Sequence, residues 1–173
     1  MIEEGAHIID IGGESTRPKA IPISLQEELD RAIPVIELIR KFSNIPISID
    51  TTKAVVAENA LNAGADIVND ISACTQDEKM ISTIKKFKPI VVIMHRQGTP
   101  ANMQENPNYG NVINEVVEFL SAQAKKLQLI GLNKDQIIID PGIGFGKSYE
   151  HNLALLKNLP KMKESGYEIL LGV

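Results

Sequence analysis

Pro46-Ile-Ser-Ile-Asp-Thr-Thr-Lys-Ala-Val-Val-Ala-Glu-Asn-Ala-Leu-Asn-Ala-Gly-Ala-Asp-Ile-Val-Asn-Asp70 is the stretch on which the fold turns. Ile47 to Asp50 is a short β-branched run, Lys53 to Asn62 is amphipathic and helix-forming, and Gly64 stops that helix. Ile67 to Asn69 is a second short run, followed by Asp70. Strand, helix and strand joined this tightly make a crossover between parallel strands. Both strands end on polar groups, Asp50 in one and Asn69 with Asp70 in the other.

The same unit repeats on either side. Further strands are predicted over His7 to Ile11, Ile90 to Met94, Ile137 to Asp140 and Glu168 to Leu171, with helices near Leu25 to Lys41, Asp77 to Phe87, Val112 to Leu129 and His151 to Glu164. Ser24 with Glu27 reads as a capping box, and Gly131 and Gly166 sit where helices should stop. Met1 to Gly5 reads as the last turn of an earlier helix. Two parallel folds fit this alternation. An open doubly wound sheet gathers its site at one switch point, whereas a (β/α)₈ barrel converges every strand's carboxyl end on one face. Asp10, Asp50, Asn69, His95 and Asp140 each close an apolar run, so the barrel is expected. Such a barrel takes eight strands and about 250 residues. Six strands in 173 residues give an incomplete one, lacking the first strand and the last βα unit.

Composition excludes several classes. A net charge of −4 with no long Lys/Arg run argues against nucleic-acid binding. The longest apolar runs are strand-sized, which argues against a membrane span. Cys74 is the single cysteine, so no internal disulfide forms and a reducing, cytoplasmic setting is expected, with Cys74 a small buried thiol.

Asp10-Ile-Gly-Gly-Glu-Ser-Thr-Arg-Pro18 follows a strand and is too rich in Gly, Ser, Thr and Pro for regular structure. It reads as an exposed βα loop whose Thr16 hydroxyl and Arg17 guanidinium suit a carboxylate or phosphate. Asp50 reads equally as a functional acid and as the N-cap of the helix after it. Asn69 can donate and accept together, as a heterocycle edge requires, while Asp70 reads as a structural partner. His95 could act as a base, but a histidine satisfied by backbone groups is the simpler reading; His7 and His151 read as structural. Asp140-Pro-Gly-Ile-Gly-Phe-Gly-Lys147, before Ser148, misses the phosphate-binding G-x-x-x-x-G-K-[ST] form by one position, because Pro141 stands first. What remains is an acid at a strand end, flexible backbone and Phe145, a ring able to cover a flat ligand. No purely structural need for its three alternating glycines is evident.

These motifs, together with Ser48-Ile-Asp-Thr51, Val68-Asn-Asp-Ile71, Met94-His95, Gly98-Thr-Pro100 and Met103-Gln104, resemble the dihydropteroate synthase family in family order from about Gly5 to Val173. The Gly-Gly-Glu-Ser-Thr-Arg-Pro loop favours that family over the corrinoid-linked methyltransferases of the same pterin-binding barrel superfamily. A non-catalytic pterin-binding remnant is the other alternative. The resemblance implies one partial pterin-binding domain over residues 1–173 and a transferase joining a dihydropterin methyl diphosphate to 4-aminobenzoate, with sulfonamides as competitors. It implies that Asp50, Asn69 and Asp140 hold the pterin, Met94 and Phe145 line its pocket, Thr16 meets the diphosphate, and Arg17 and Pro18 shape the 4-aminobenzoate site. Asp50 and Arg17 are the implied catalytic residues. Magnesium would accompany the diphosphate, with its family ligand in a first-strand loop outside this chain, and a homodimer is the family's habit. A Ser-Arg-Lys motif and an Arg-x-His motif of the family are absent. Lys19 stands where glycine is usual, and Arg96 where methionine is common.

Overall fold

The computed structural model describes residues 1–172, so Val173, the end of the expected domain, lies outside the described residues. Six parallel strands pair in chain order: β1 (Ile9–Gly12), β2 (Ile47–Asp50), β3 (Ile67–Asp70), β4 (Ile90–Met94), β5 (Ile137–Asp140) and β6 (Glu168–Ile169). A doubly wound sheet would reverse its order at a switch point; this one never does. Right-handed crossovers in unbroken order put every helix on the same face, and that arrangement is a (β/α) barrel wall. The sheet is open, with β1 and β6 at its two edges.

The helices are α1 (Leu25–Arg40), α2 (Ala54–Ala63), α3 (Met80–Phe87), α4 (Val112–Leu129), α5 (Tyr149–Lys157) and α6 (Leu159–Lys163). Ile11, Ile49, Val68, Val91, Ile93 and Ile139 point toward them and bury against Ile36, Val56, Ile84, Leu120 and Leu155. Since strand side chains alternate, Asp10, Asp50, Asn69, Met94 and Asp140 share the opposite face, the barrel interior. Register lines up Gly12 with Asp50 and Asp50 with Asn69, and pairs Met94 with Asp140.

Several boundaries differ from the sequence reading for identifiable reasons. The last expected helix is two, because Pro160 has no amide to donate and the chain re-starts at Asn158, which precedes α6. The start of α3 moves to Met80 because Asp77 turns its carboxylate to other work: it accepts from the amides of Ala54 and Lys79 at 2.8 and 2.9 Å. Only half of the expected capping box forms. Ser24 Oγ accepts from the Glu27 amide at 3.1 Å, but the Glu27 carboxylate pairs with Arg31 instead. Gly64, Gly131 and Gly166 do take positive φ, at 110°, 102° and 74°. No helix among the described residues is long and apolar enough to cross a membrane.

Candidate active site

The carboxyl end of the sheet holds a cavity of about 480 Å³ between the β1–α1, β2–α2, β3–α3 and β4–α4 connections. Asp50 lies in its wall, and its Oδ1 is buried with no hydrogen-bond partner. Burial first, then the neighbouring charges of Asp10, Asp70, Glu28 and Glu14, pushes its pKa up to about 7. The helix-cap reading of Asp50 is thereby removed. The first amide of α2, Ala54, is taken by Asp77, and the Lys53 amide donates to Thr51 Oγ1 at 3.1 Å. A buried carboxylate oxygen without a donor is costly, and it is the kind of group that a bound ligand satisfies.

Asp140 is also buried, and burial pushes its pKa up to about 6 against the opposing influence of the Gly142 amide and Lys147. One carboxylate oxygen accepts from the Gly142 amide at 2.7 Å. Asn69 lies between Asp50 and β4 on the interior face. Asp70, one residue on, points the other way. It accepts from Ser72 Oγ, the Ser72 amide and the Cys74 amide at 2.6, 2.7 and 3.1 Å, the structural role expected of it. Cys74 is a buried thiol whose pKa burial drives upward.

Thr16 borders the cavity, whereas Arg17 and Pro18 are exposed, with Pro18 against a smaller recess beside Lys19, Pro100 and Gln104. The base of this loop is fixed by charges that the sequence reading did not single out. Lys53 Nζ donates to Glu14 at 2.9 Å and to the buried Glu28, Glu28 also accepts from Thr51 Oγ1 at 2.5 Å, and Glu14 accepts from the Ile23 amide at 2.8 Å. The available signal was a lysine three residues after a strand-end acid. Gly13 is required here by packing, since a Cβ would lie 2.8 Å from the Glu28 carbonyl oxygen.

The glycine-rich loop after β5 does have a structural need. Gly142 and Gly146 take φ of 67° and 65°, and a Cβ on either would overlap the carbonyl oxygen of His95 or Gln97. The loop is thus pressed against the chain leaving β4. Lys147, a lysine in a P-loop-like string, turns inward: its Nζ donates to the carbonyls of Phe145 and His95 at 2.9 and 3.1 Å and lies 3.1 Å from His95 Nδ1. Burial holds both Lys147 and His95 below their usual pKa values. His95 also packs edge-on against Phe119 at 5.2 Å, so its buried ring is held by Lys147 and an aromatic neighbour rather than by the backbone groups expected. His151 closes the cap of α5 with Ser148.

A family model described as pterin binding enzyme matches residues 1–173. This chain belongs to the pterin binding enzyme family. The dihydropteroate synthase of Synechocystis sp. is 49% identical over 172 residues, covering 99% of this chain and 60% of the relative. Among solved structures, the Yersinia pestis dihydropteroate synthase with a sulfonamide drug superposes with a TM-score of 0.96 at 37% identity, covering 99% of this chain and 62% of that one. The Xanthomonas albilineans dihydropteroate synthase with 4-aminobenzoic acid gives 0.92 at 40%, covering 99% and 60%. The chain therefore spans about 60% of the length of the dihydropteroate synthases it matches.

Proposed function

We propose that this pterin binding chain carries the pterin-holding part of a dihydropteroate synthase, which joins a dihydropterin methyl diphosphate to 4-aminobenzoate and releases diphosphate. The observation that carries the reading is the buried, unpartnered Oδ1 of Asp50 on the same strand-end face as Asn69 and Asp140. A pterin edge presents adjacent N–H donors, which a carboxylate accepts in pairs, and mixed donor and acceptor positions, which suit an amide side chain. In this reading Asp140 and Asn69 hold the ring, Met94 and Phe145 cover it, and Asp50 stabilises positive charge developing on the pterin methyl group as diphosphate leaves. Thr16 meets the diphosphate; Arg17 and Pro18 close over the arylamine. Support comes from relatives and structures named dihydropteroate synthase, one of them holding 4-aminobenzoic acid.

Magnesium would neutralise the leaving diphosphate. Among the described residues no group of three or more His, Cys, Asp and Glu side chains converges as a cage for it, and no step is routed through the ion. A cytoplasmic setting, supported by the single buried thiol, and a homodimer complete the proposal. The test is dihydropteroate formation by the natural protein that carries this chain, with 7,8-dihydropterin binding measured by calorimetry alongside. Asp140→Ala is expected to weaken pterin binding by about 1–3 kcal/mol or more, because ligand donors are left buried and unpaired. Arg17→Ala is expected to impair 4-aminobenzoate use while sparing pterin binding. Unchanged pterin affinity in Asp140→Ala would remove the assignment.

A further inference from the structure

The charges around the 480 Å³ cavity do not balance locally. Its wall contains three carboxylates, Glu14, Glu28 and Asp50, and two cations, Lys53 and Arg96. Lys53 is consumed by Glu14 and Glu28. Arg96 forms no ion pair among the described residues, and the carboxylate that acts on its charge, Asp70, spends its hydrogen bonds on Ser72 and Cys74. Its guanidinium has five N–H donors, and the contact formed is one Nη2 donation to the neutral Gln76 side chain. Gln76 is itself tied to Thr52 Oγ1 at 3.0 Å, so the guanidinium is anchored from behind while the rest of its donors remain available. Thr16 brings a hydroxyl to the same cavity, whereas the Thr99 hydroxyl donates to Asn102 Oδ1 at 2.9 Å. Arg17, the cation of the neighbouring loop, is exposed and does not line it.

We propose that Arg96 is an oxyanion-binding residue of this cavity, taking an anionic group of a substrate by charge-assisted hydrogen bonds. A partly buried guanidinium held at one end by Gln76, with unused donors and the Thr16 hydroxyl on the same cavity wall, is suited to a carboxylate or phosphate group. The inference rests on the reading that the cavity receives the substrates named above. Those substrates offer this chemistry twice, in the diphosphate and in the carboxylate of 4-aminobenzoate.

The experiment titrates inorganic diphosphate and, separately, 4-aminobenzoate into the natural protein carrying this chain, by calorimetry, for the unaltered sequence, Arg96→Met and Arg96→Gln. Arg96→Gln loses the charge but keeps a donor for Gln76, so it answers the question if Arg96→Met does not fold. Binding in at least one arm is expected to weaken about tenfold or more; the diphosphate arm assigns Arg96 to the leaving group, the 4-aminobenzoate arm to the arylamine. 7,8-Dihydropterin lacking the diphosphate is expected to bind unchanged. Equal affinities in both arms overturn the proposal, and so does a parallel loss of dihydropterin binding, which would make Arg96 a support of the fold. Turnover is scored separately: no dihydropteroate from the unaltered protein would defeat the synthase reading, while the diphosphate titration still reads Arg96.

Discussion

Lys19 adopts φ of 64°, the left-handed region that a side chain enters at a cost of about 1–2 kcal/mol and that glycine enters freely. Its amide donates to the Pro100 carbonyl at 2.9 Å, so the strained residue ties the β1–α1 loop to the β4–α4 loop. Lys19→Gly is therefore expected to raise stability by about 0.5–1 kcal/mol, read as a higher urea midpoint at unchanged slope. Asp50 makes a pH-dependent counterpart. Its folded pKa, about 7, lies above its ordinary value of 3.8, so the folded protein holds more protons between those values and stability falls as pH rises through that window. Asp50→Asn should flatten this fall, by at most about 4 kcal/mol. The comparison is urea denaturation of both proteins between pH 4 and 8; identical slopes against pH would show that Asp50 keeps its ordinary pKa. Asp50 could be found from sequence because it closes a strand. Its want of a partner could not, since that depends on what distant segments bring to the interior face around it.

At the scale of elements, the loop between β5 and α5 separates what composition can and cannot reveal. Its glycines are visible as a pattern, but the reason for Gly142 and Gly146 is the close passage of the His95 and Gln97 carbonyls, a contact between distant segments with no local trace. Gly142→Ala and Gly146→Ala combine strained φ with overlap and are expected to cost about 3 kcal/mol or more. Gly144 has φ of 83°, and a methyl group added there would meet nothing within 4 Å. Its replacement by alanine should cost only the backbone strain, about 1–2 kcal/mol. Thermal melts of the three variants check this order, and equal losses would remove the packing argument. Helix α4 runs over Val112–Leu129 as its periodicity and Asn111 cap require. The α5–α6 break was missed because apolar periodicity continues across Asn158, and only Pro160 signals the interruption.

Over the whole molecule, the barrel wall was legible because five of the six apolar runs carry a polar residue at or near their ends, a spread that an open sheet with one switch point does not need. The same alternation that buries Ile11, Ile49 and Ile139 against helices leaves Asp10, Asp50 and Asp140 on the interior face. The pairing leaves β1 and β6 each with one neighbour, and an unpaired strand edge is a template for association. Ile8 beside β1 and Leu170 and Leu171 beyond β6 are 48%, 36% and 38% exposed, so both edges carry apolar surface as well as free backbone groups. The 173-residue chain produced by itself is therefore expected to self-associate and to form no appreciable dihydropteroate. Asp50, Asn69 and Asp140 would still be present, but on a sheet free to splay, and small misplacement of positioning groups costs on the order of 10²-fold in rate. Sedimentation velocity and a dihydropteroate assay with magnesium, run on this chain and on the longer relatives it resembles, test both halves. A monodisperse monomer with turnover comparable to the relatives would show that six strands suffice to hold the site.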